Sequence, residues 1–192
     1  MSAREKPAAP VPDAGREASP GQPATDLPWG PPRSKTVTWH DPAATVSGGM
    51  GMSGLEFMTA IVEGRLPPPP IASLLGMRAR HFERGLAVFE YTPDESVYNP
   101  LGVVHGGLLC TLADTVAGCA VQTTLEAGVG YTSIDITVNY LRPVTLDSGT
   151  ILATGRVIKP GRRVALAAAE VHDQAGRLLA TATSNCLIIE GS

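Results

Sequence analysis

Apolar positions in the first folded stretch of the chain recur with helical spacing. They fall on one face of a helix predicted over residues 54–63: Leu55, Met58, Ile61 and Val62. We expect this helix to end at Gly64, because the prolines at 67–70 have no amide hydrogens with which to continue it. The proline run itself is predicted to be a stiff, extended spacer.

Two apolar runs come next and predict a β-hairpin. They cover residues 74–82 and 86–92, and the three residues Glu83-Arg84-Gly85 separate them. Residues 93–104 are rich in turn-forming types. After them, residues 106–125 predict one long helix.

Strict alternation of apolar and polar residues then predicts a half-buried strand over 131–141. One side of this strand carries Ile134, Ile136, Val138 and Tyr140. The other side carries Ser133, Asp135, Thr137 and Asn139. Three more strands are expected over residues 149–159, 163–173 and 177–189, with Gly161 and Gly176 in the turns between them.

This order of elements predicts an α+β fold. Strands joined by short turns pair antiparallel, so we expect an antiparallel sheet of about six strands around one long central helix, with a short helix before it. Such a sheet leaves edges that must be covered, and self-association is therefore expected.

Composition separates an N-terminal extension from the folded domain. Residues 1–48 contain nine prolines and few large apolar side chains, and we expect this extension to be disordered or loosely ordered. Residues 49–192 are predicted to form the single folded domain. Because no apolar run has membrane-spanning length and the N-terminus has no secretory apolar region, a cytoplasmic protein is expected.

Charge and cysteine usage exclude several function classes. The net charge is −3, which does not favour binding to nucleic acid or to a membrane surface. The three cysteines, Cys110, Cys119 and Cys186, have no metal-ligand spacing and are interpreted as small buried hydrophobic residues. No metal site is predicted.

Asp114 is the only charged residue between Gly106 and Leu125 in the long helix. Leu108, Leu112 and Val116 mark an apolar face, and the residues around Asp114 at helical spacing are also small or apolar. A lone carboxylate in such surroundings is costly without a partner or a task. It can cap a loop or pair with an arginine, or it can act as a base or nucleophile at a cleft.

The helix start before Asp114 has the features of an oxyanion site. Gly106 and Gly107 let a ligand approach the backbone, and the free N–H groups at a helix N-terminus attract a developing negative charge. The same Gly-Gly pair can serve only as a turn. His105 can orient the loop, and Asn99 can either cap it or present its amide to substrate or water.

The combined spacing resembles a known family. Asn-x-x-Gly-x-x-His-Gly-Gly-x-x-x-x-Leu-x-Asp, which spans residues 99–114, is similar to the motif of hotdog-fold acyl-CoA thioesterases of the phenylacetate-degradation (PaaI-like) type. The resemblance extends over residues 54–189. It includes the Leu-Glu-Phe helix, the Gly-Arg-Leu-Pro-Pro-Pro-Pro segment and the strand that ends in Asn-Tyr-Leu-Arg-Pro.

The resemblance implies a homodimer whose sheets join edge to edge, with dimers that pair into a homotetramer. Active sites then lie between protomers. In each site Gly106 and Gly107 hold the thioester carbonyl, and Asp114 from the other protomer is the nucleophile or the base for water. Asn99 and His105 shape the opposite side, and Ser133 assists Asp114 or the attacking water. The coenzyme A thioester is the substrate, and no cofactor is implied.

A basic turn is the second candidate binding feature. Its residues Lys159, Gly161, Arg162 and Arg163 offer backbone N–H groups and positive charge for the phosphates of coenzyme A. In the resembling family this turn lies where the nucleotide end docks, and Arg142 is a weaker candidate for the same role. The turn can equally be a hairpin whose charges are only solvated.

Hydrolysis of an acyl-CoA to a free acid and coenzyme A is therefore the predicted function. The alternative is a hotdog protein that binds acyl-CoA without hydrolysis, as a sensor or regulator. Hydration of an enoyl thioester fits less well, because the Gly-Gly pair after His105 and the position of Asp114 inside the helix differ from what that reaction uses in related folds. The preferred acyl group and the choice between nucleophile and base stay open at this level.

Overall fold

The computed structural model describes residues 29–190. The chain divides into two units, Met1–Lys35 and Thr36–Ser192, and the helices and strands of the described residues belong to the second. The helices are α1 (Pro42–Gly48), α2 (Gly54–Val62), α3 (Pro70–Leu75) and α4 (Gly106–Gln122). The strands are β1 (Met77–Glu83), β2 (Leu86–Tyr91), β3 (Val129–Tyr140), β4 (Ile151–Lys159), β5 (Val164–His172) and β6 (Leu178–Glu190).

One antiparallel sheet holds all six strands in the order β1-β2-β4-β5-β6-β3. The long helix α4 packs against the sheet, and the main core lies between them, with Leu112, Val116, Ile151 and Val171 almost fully buried. The α+β prediction of about six antiparallel strands around one central helix is confirmed. Within the described residues, β3 pairs only with β6, so it forms an edge of the sheet.

Close backbone contact sets the position of α4 on the sheet. Gly155 in β4 lies so near the helix that a Cβ atom there would be 2.0 Å from the carbonyl oxygen of Val116. A second glycine, Gly118, lets the Tyr131 side chain of β3 rest on the helix, where a Cβ would be 2.2 Å from the phenol oxygen. Glycine is therefore needed at both positions because a side chain would have no space there, and not because of the backbone conformation.

The proline run does not stay extended throughout. Pro70 occupies the first turn of α3, where a proline is tolerated because its missing N–H would have no partner. The helix ends at Gly76, whose φ of 74° gives the left-handed cap that glycine adopts without strain. The strand predicted from residue 74 therefore begins later, at Met77.

Part of the segment predicted to be loosely ordered forms a helix. In α1 the Asp41 side chain accepts a hydrogen bond from the Ala43 N–H, and Pro42 stands in the first turn. The Thr45 hydroxyl donates to the carbonyl of Pro67 over 3.1 Å and connects α1 to the proline run. Residues 1–28 of the predicted extension lie outside the described residues, and the domain boundary at residue 48 stays a prediction.

A β-bulge interrupts the predicted alternation of β3. The register with β6 shifts between Ser133 and Asp135. The extra residue leaves Ile134 54 % exposed, while Ile136 and Val138 pack against the core. Ser133 bonds to a residue of α4, so it faces the helix like Ile136. The sequence placed these two on opposite sides, because a bulge adds a residue that simple alternation does not count.

We predict that Gly155→Ala destabilises the protein by about 1–3 kcal/mol, because the new methyl group meets the backbone of α4 and cannot be accommodated by a side-chain rotation. Chemical denaturation measures the loss. Gly130→Ala is the matched control, since a Cβ at Gly130 in β3 meets no atom within 4 Å. Equal stability of the two variants would contradict this packing.

Candidate active site

Asp114 is held by a hydrogen bond between α4 and β3. The Ser133 hydroxyl donates to Asp114 Oδ1 over 2.8 Å, and both residues are half-buried. No donor among the described residues bonds to the second carboxylate oxygen, Oδ2. The structure thus brings together the predicted pair Asp114 and Ser133, and the bulge of β3 is what turns Ser133 toward the helix.

The carboxylate lies on the one face of α4 that the sheet leaves partly open. Most of the helix is buried, but a half-buried stripe runs along it through Cys110, Thr111, Asp114, Thr115 and Cys119. A cleft of about 350 Å³ opens at this stripe, and Thr111, Asp114, Ser133 and Ile136 are among its lining residues. The helix is therefore not buried all round, and Asp114 occupies the open part.

His105 caps α4 and takes up one of the two predicted oxyanion donors. Its Nδ1 accepts a hydrogen bond from the Gly107 N–H over 2.9 Å, so the ring is the N-cap of the helix. Within residues 29–190, the N–H of Gly106, the first helical residue, has no hydrogen-bond acceptor. The donor that stays available for a ligand is therefore that of Gly106, whereas the sequence analysis assigned the same role to Gly107 as well.

Tyr140 lies over this helix start. A Cβ atom at Gly106 would be 3.2 Å from Tyr140 Cζ and 3.5 Å from its hydroxyl oxygen. Both residues line a cleft of about 300 Å³ together with Leu109 and Arg142. Tyr140 was not among the site residues predicted from the sequence, because its position in the alternating strand indicated only a role in packing.

The helix start and Asp114 are too far apart to act on one carbonyl within a single chain. Asp114 follows Gly106 by eight positions in α4, which is a distance of about 12 Å along the helix at a rise of 1.5 Å per residue. An oxyanion donor and an attacking group must each come within about 3–3.5 Å of the same carbonyl group. Asp114 and the helix start both lie beside β3, the edge strand, where Ser133 contacts Asp114 and Tyr140 covers Gly106.

Asn99 has the loop-capping role that the sequence left open. Its Oδ1 accepts from the N–H groups of Leu101 and Val103 over 2.9 and 3.4 Å. Its own backbone N–H donates to the Val103 carbonyl over 2.8 Å. These bonds close the turn that delivers the chain to His105, so Asn99 shapes the loop before α4.

The candidate coenzyme A residues fall at two opposite ends of the sheet. Lys159, Gly161, Arg162 and Arg163 lie at the β4–β5 turn, where Gly161 and Arg162 line an open cleft of about 580 Å³ with Arg84. Arg142 lies beyond the far end of β3, and its guanidinium donates to the Leu178 carbonyl beside the β5–β6 turn. One protomer does not bring Arg142 to the basic turn.

The cysteines are reduced and are not arranged for metal binding. All three are free thiols, and no group of three or more His, Cys, Asp or Glu among residues 29–190 could hold a metal ion. Burial raises the pKa of Cys119 to about 12, and the nearby Asp114 charge adds to this effect. Burial also raises the pKa of the Tyr131 hydroxyl, so the groups beside Asp114 stay neutral at physiological pH.

We predict that Cys119 resists alkylation in the folded protein. With a pKa of about 12, only about 0.01 % of the thiol is ionised at pH 8, and the thiolate is the reactive form. A variant with Cys110→Ser and Cys186→Ser leaves Cys119 as the sole target for iodoacetamide, measured by mass spectrometry. The unfolded variant should react fully, and rapid labelling of the folded form at pH 8 would show that the pKa of Cys119 is not raised.

Several known proteins are similar to this chain in sequence or in structure. A family model described as the thioesterase superfamily matches residues 101–180. Human acyl-coenzyme A thioesterase 13 is 30% identical over 116 residues, which cover 54% of this chain and 81% of the human protein. No helix in the described part of the chain is long and apolar enough to cross a membrane.

Solved structures give the same result. The phenylacetic acid degradation-related protein of Ralstonia eutropha JMP134 has a TM-score of 0.62 and 30% identity, over 68% of this chain and 98% of that one. A Streptococcus mutans UA159 protein solved with acetyl CoA bound has a TM-score of 0.55 and 26% identity, over 60% and 90% of the two chains. With its six antiparallel strands and central helix, the chain has the hotdog fold and belongs to the thioesterase superfamily, a family of thioester hydrolases.

Proposed function

We propose that the protein hydrolyses acyl-CoA thioesters to a free carboxylic acid and coenzyme A. The observation that carries this proposal is the half-buried Asp114, held through one oxygen by Ser133 on an open cleft of α4. Two similar proteins support a coenzyme A substrate. The human relative is named acyl-coenzyme A thioesterase 13, and the Streptococcus mutans protein was solved with acetyl CoA bound. The thioester carbonyl is the group on which the carboxylate acts.

Asp114 supplies the group that starts the reaction. Ser133 orients the carboxylate through Oδ1, and Oδ2 is free of donors from the described residues. Oδ2 either attacks the carbonyl carbon, forming an anhydride that water then hydrolyses, or takes a proton from a water molecule that attacks. In both routes the C–S bond breaks, the sulfur leaves as coenzyme A, and one water molecule is consumed.

The N–H of Gly106 stabilises the oxyanion in this proposal. It is the helix-start donor left over once His105 has taken the N–H of Gly107, and the helix dipole adds positive potential at the same point. Tyr140 covers this donor from the side and can position the acyl or thioester group against it.

Each site then uses two copies of the chain. The separation of about 12 Å between Gly106 and Asp114 supports a site shared by two protomers, and the open edge of β3 offers the surface for pairing. Directly opposite residues of an antiparallel pair share a face, so a β3 pair centred on Thr137 fits the pleat, and this register sets Tyr140 of one copy across from the bulge after Ser133 of the other. That register brings the Gly106 end of one copy toward Asp114 of its neighbour.

The basic turn is assigned to the nucleotide end of the substrate. Lys159, Arg162 and Arg163 are exposed and can meet the phosphates of coenzyme A. Arg142 is less suited, because its guanidinium already bonds to a backbone carbonyl. The pairing of dimers into a tetramer, which the family resemblance implies, remains a prediction.

We predict that Asp114→Asn lowers kcat by about 10²–10⁴-fold, because the amide can neither attack nor accept the proton of water. Thiol release from a panel of acyl-CoA substrates measures the effect. Circular dichroism should show an unchanged fold, since Asn keeps an oxygen that can accept from Ser133. Turnover close to that of the native protein on a good substrate would exclude this mechanism, and saturable binding of acyl-CoA by the native protein without thiol release would favour the sensor alternative.

A second prediction concerns the oxyanion donor. Gly106→Pro removes only the N–H at the first helical position, where proline is well accepted, and should lower kcat by about 10²–10³-fold. Gly106→Ala is the matched control: it keeps the N–H, and its methyl group meets only the tip of the exposed Tyr140 ring. The alanine variant should retain most of the activity, and equal loss in both would show that the N–H is not the reason.

Mixed dimers test whether the site is shared. A heterodimer of one Asp114→Asn chain and one Gly106→Pro chain contains one site with both defects and one with neither. Differently tagged chains, co-expressed and purified together, should therefore regain about half of the native activity. If Gly106 and Asp114 of one chain served the same site, every site would carry a defect and the heterodimer would be inactive.

A further inference from the structure

A second, apolar cavity lies beside α4, where Met77 and Phe89 of the main core form part of its wall. It has a volume of about 440 Å³ and is bordered by α2, α3, β1 and α4. Phe57 and Ile61 of α2, Ile71 of α3 and Phe89 of β2 are among its apolar lining residues. The roles proposed above for Asp114, Gly106 and the basic turn do not use this space.

The cavity lies next to the cleft that holds Asp114. The half-buried stripe of α4 passes through Thr111 and Asp114 in the cleft and goes on through Thr115, Cys119 and Gln122 in the cavity wall. Along β3, Tyr131 lines the cavity, and Ser133, two residues further on the same face, bonds to Asp114. Two residues of a strand span about 6.6 Å, so the cavity begins next to the reacting group.

The cavity wall is suited to an uncharged chain. The Thr115 hydroxyl donates to the Thr111 carbonyl over 2.7 Å and has no need of a ligand. The high pKa values of Cys119 and Tyr131 keep both groups neutral. Among the residues that line the cavity, Arg78 alone carries a charge, and it is exposed at the rim.

Its far end is closed by contact between two helices. Gly54 begins α2 directly against the end of α4: a Cβ there would be 1.7 Å from the Gln122 carbonyl oxygen, and its N–H donates to the Leu125 carbonyl over 2.9 Å. This contact therefore bounds the cavity beyond Gln122, on the side away from Asp114. A pocket of this form limits the length of a chain that enters from the site.

The volume indicates a chain of medium length. An apolar cavity of about 150 Å³ is sufficient for benzene, or about 25 Å³ for each carbon. On that scale 440 Å³ has room for at most about 18 carbons. Because part of the cavity is open at its rim, a filled length of about 8–14 carbons is expected.

We propose that this cavity is the acyl-chain pocket of the enzyme and that the preferred substrates carry straight acyl chains of about 8–14 carbons. The inference rests on the proposed function, since it places the acyl group of the thioester that Asp114 attacks. It assigns a role to α2 and α3, which form one wall of the pocket. Small acids and single aromatic rings leave most of the space unfilled.

The test compares kcat/KM for acyl-CoA substrates of different length. We expect kcat/KM to rise from butanoyl- through octanoyl- to dodecanoyl-CoA, by up to about fourfold for each added methylene that is buried. Phenylacetyl-CoA should lie well below dodecanoyl-CoA. Concentrations are kept below the micelle range of the longer substrates.

Two variants of one cavity residue shift the length preference in opposite directions. Ile61→Trp fills the pocket and should lower the ratio of kcat/KM for dodecanoyl-CoA to kcat/KM for butanoyl-CoA at least tenfold. Ile61→Ala enlarges the pocket and should move the optimum to longer chains. Glu63→Trp is the matched control, because this exposed residue does not line the cavity and its tryptophan should leave the profile as it is.

The outcomes separate this inference from the proposed function. A profile that is flat with chain length, a preference for phenylacetyl-CoA, or the same profile for the Ile61→Trp and Glu63→Trp variants would overturn the pocket while hydrolysis itself stands. Absence of thiol release from every acyl-CoA would overturn the proposed function, and the pocket with it. Circular dichroism identifies a variant that fails to fold. If one of the two Ile61 variants fails, the length preference of the other one tests the pocket.

Discussion

The hydrogen bond from Ser133 to Asp114 is the contact on which the candidate site depends. It joins the central helix to the edge strand and gives a single carboxylate a partner on an otherwise apolar helix. Without that partner, a half-buried charge would be unfavourable at this position. The bulge in β3 makes the contact possible by turning Ser133 toward α4, and the contact in turn leaves one carboxylate oxygen available.

The length of α4 dictates the assembly of the site. Asp114 stands at the middle of the helix and Gly106 at its start, so the acid and the oxyanion donor cannot converge in one chain. Both lie beside β3, whose outer edge has no partner strand among the described residues. In the proposed mechanism, the carboxylate beside one part of this edge and the helix start beside another are the two halves of a site that a second copy completes.

The periodicity of apolar residues was sufficient to predict the architecture. The position of Asp114 could also be predicted, because a lone charge on an apolar helix is visible in the sequence. Periodicity could not show the bulge, which breaks the alternation that defines a strand, nor α3, which begins inside a proline run. The choice between Gly106 and Gly107 required the side-chain direction of His105. The apolar cavity arises from residues far apart in the chain, and no local pattern marks it.

The most direct measurement is a crystal structure of the protein with a non-hydrolysable acyl-CoA analogue that has a ketone in place of the thioester. The account predicts that the ketone carbon lies within about 3.5 Å of Asp114 Oδ2 of one copy, and its oxygen about 3 Å from the Gly106 N–H of the neighbouring copy. A ketone bound away from Asp114, or held by donors and carboxylate of one chain, would contradict it.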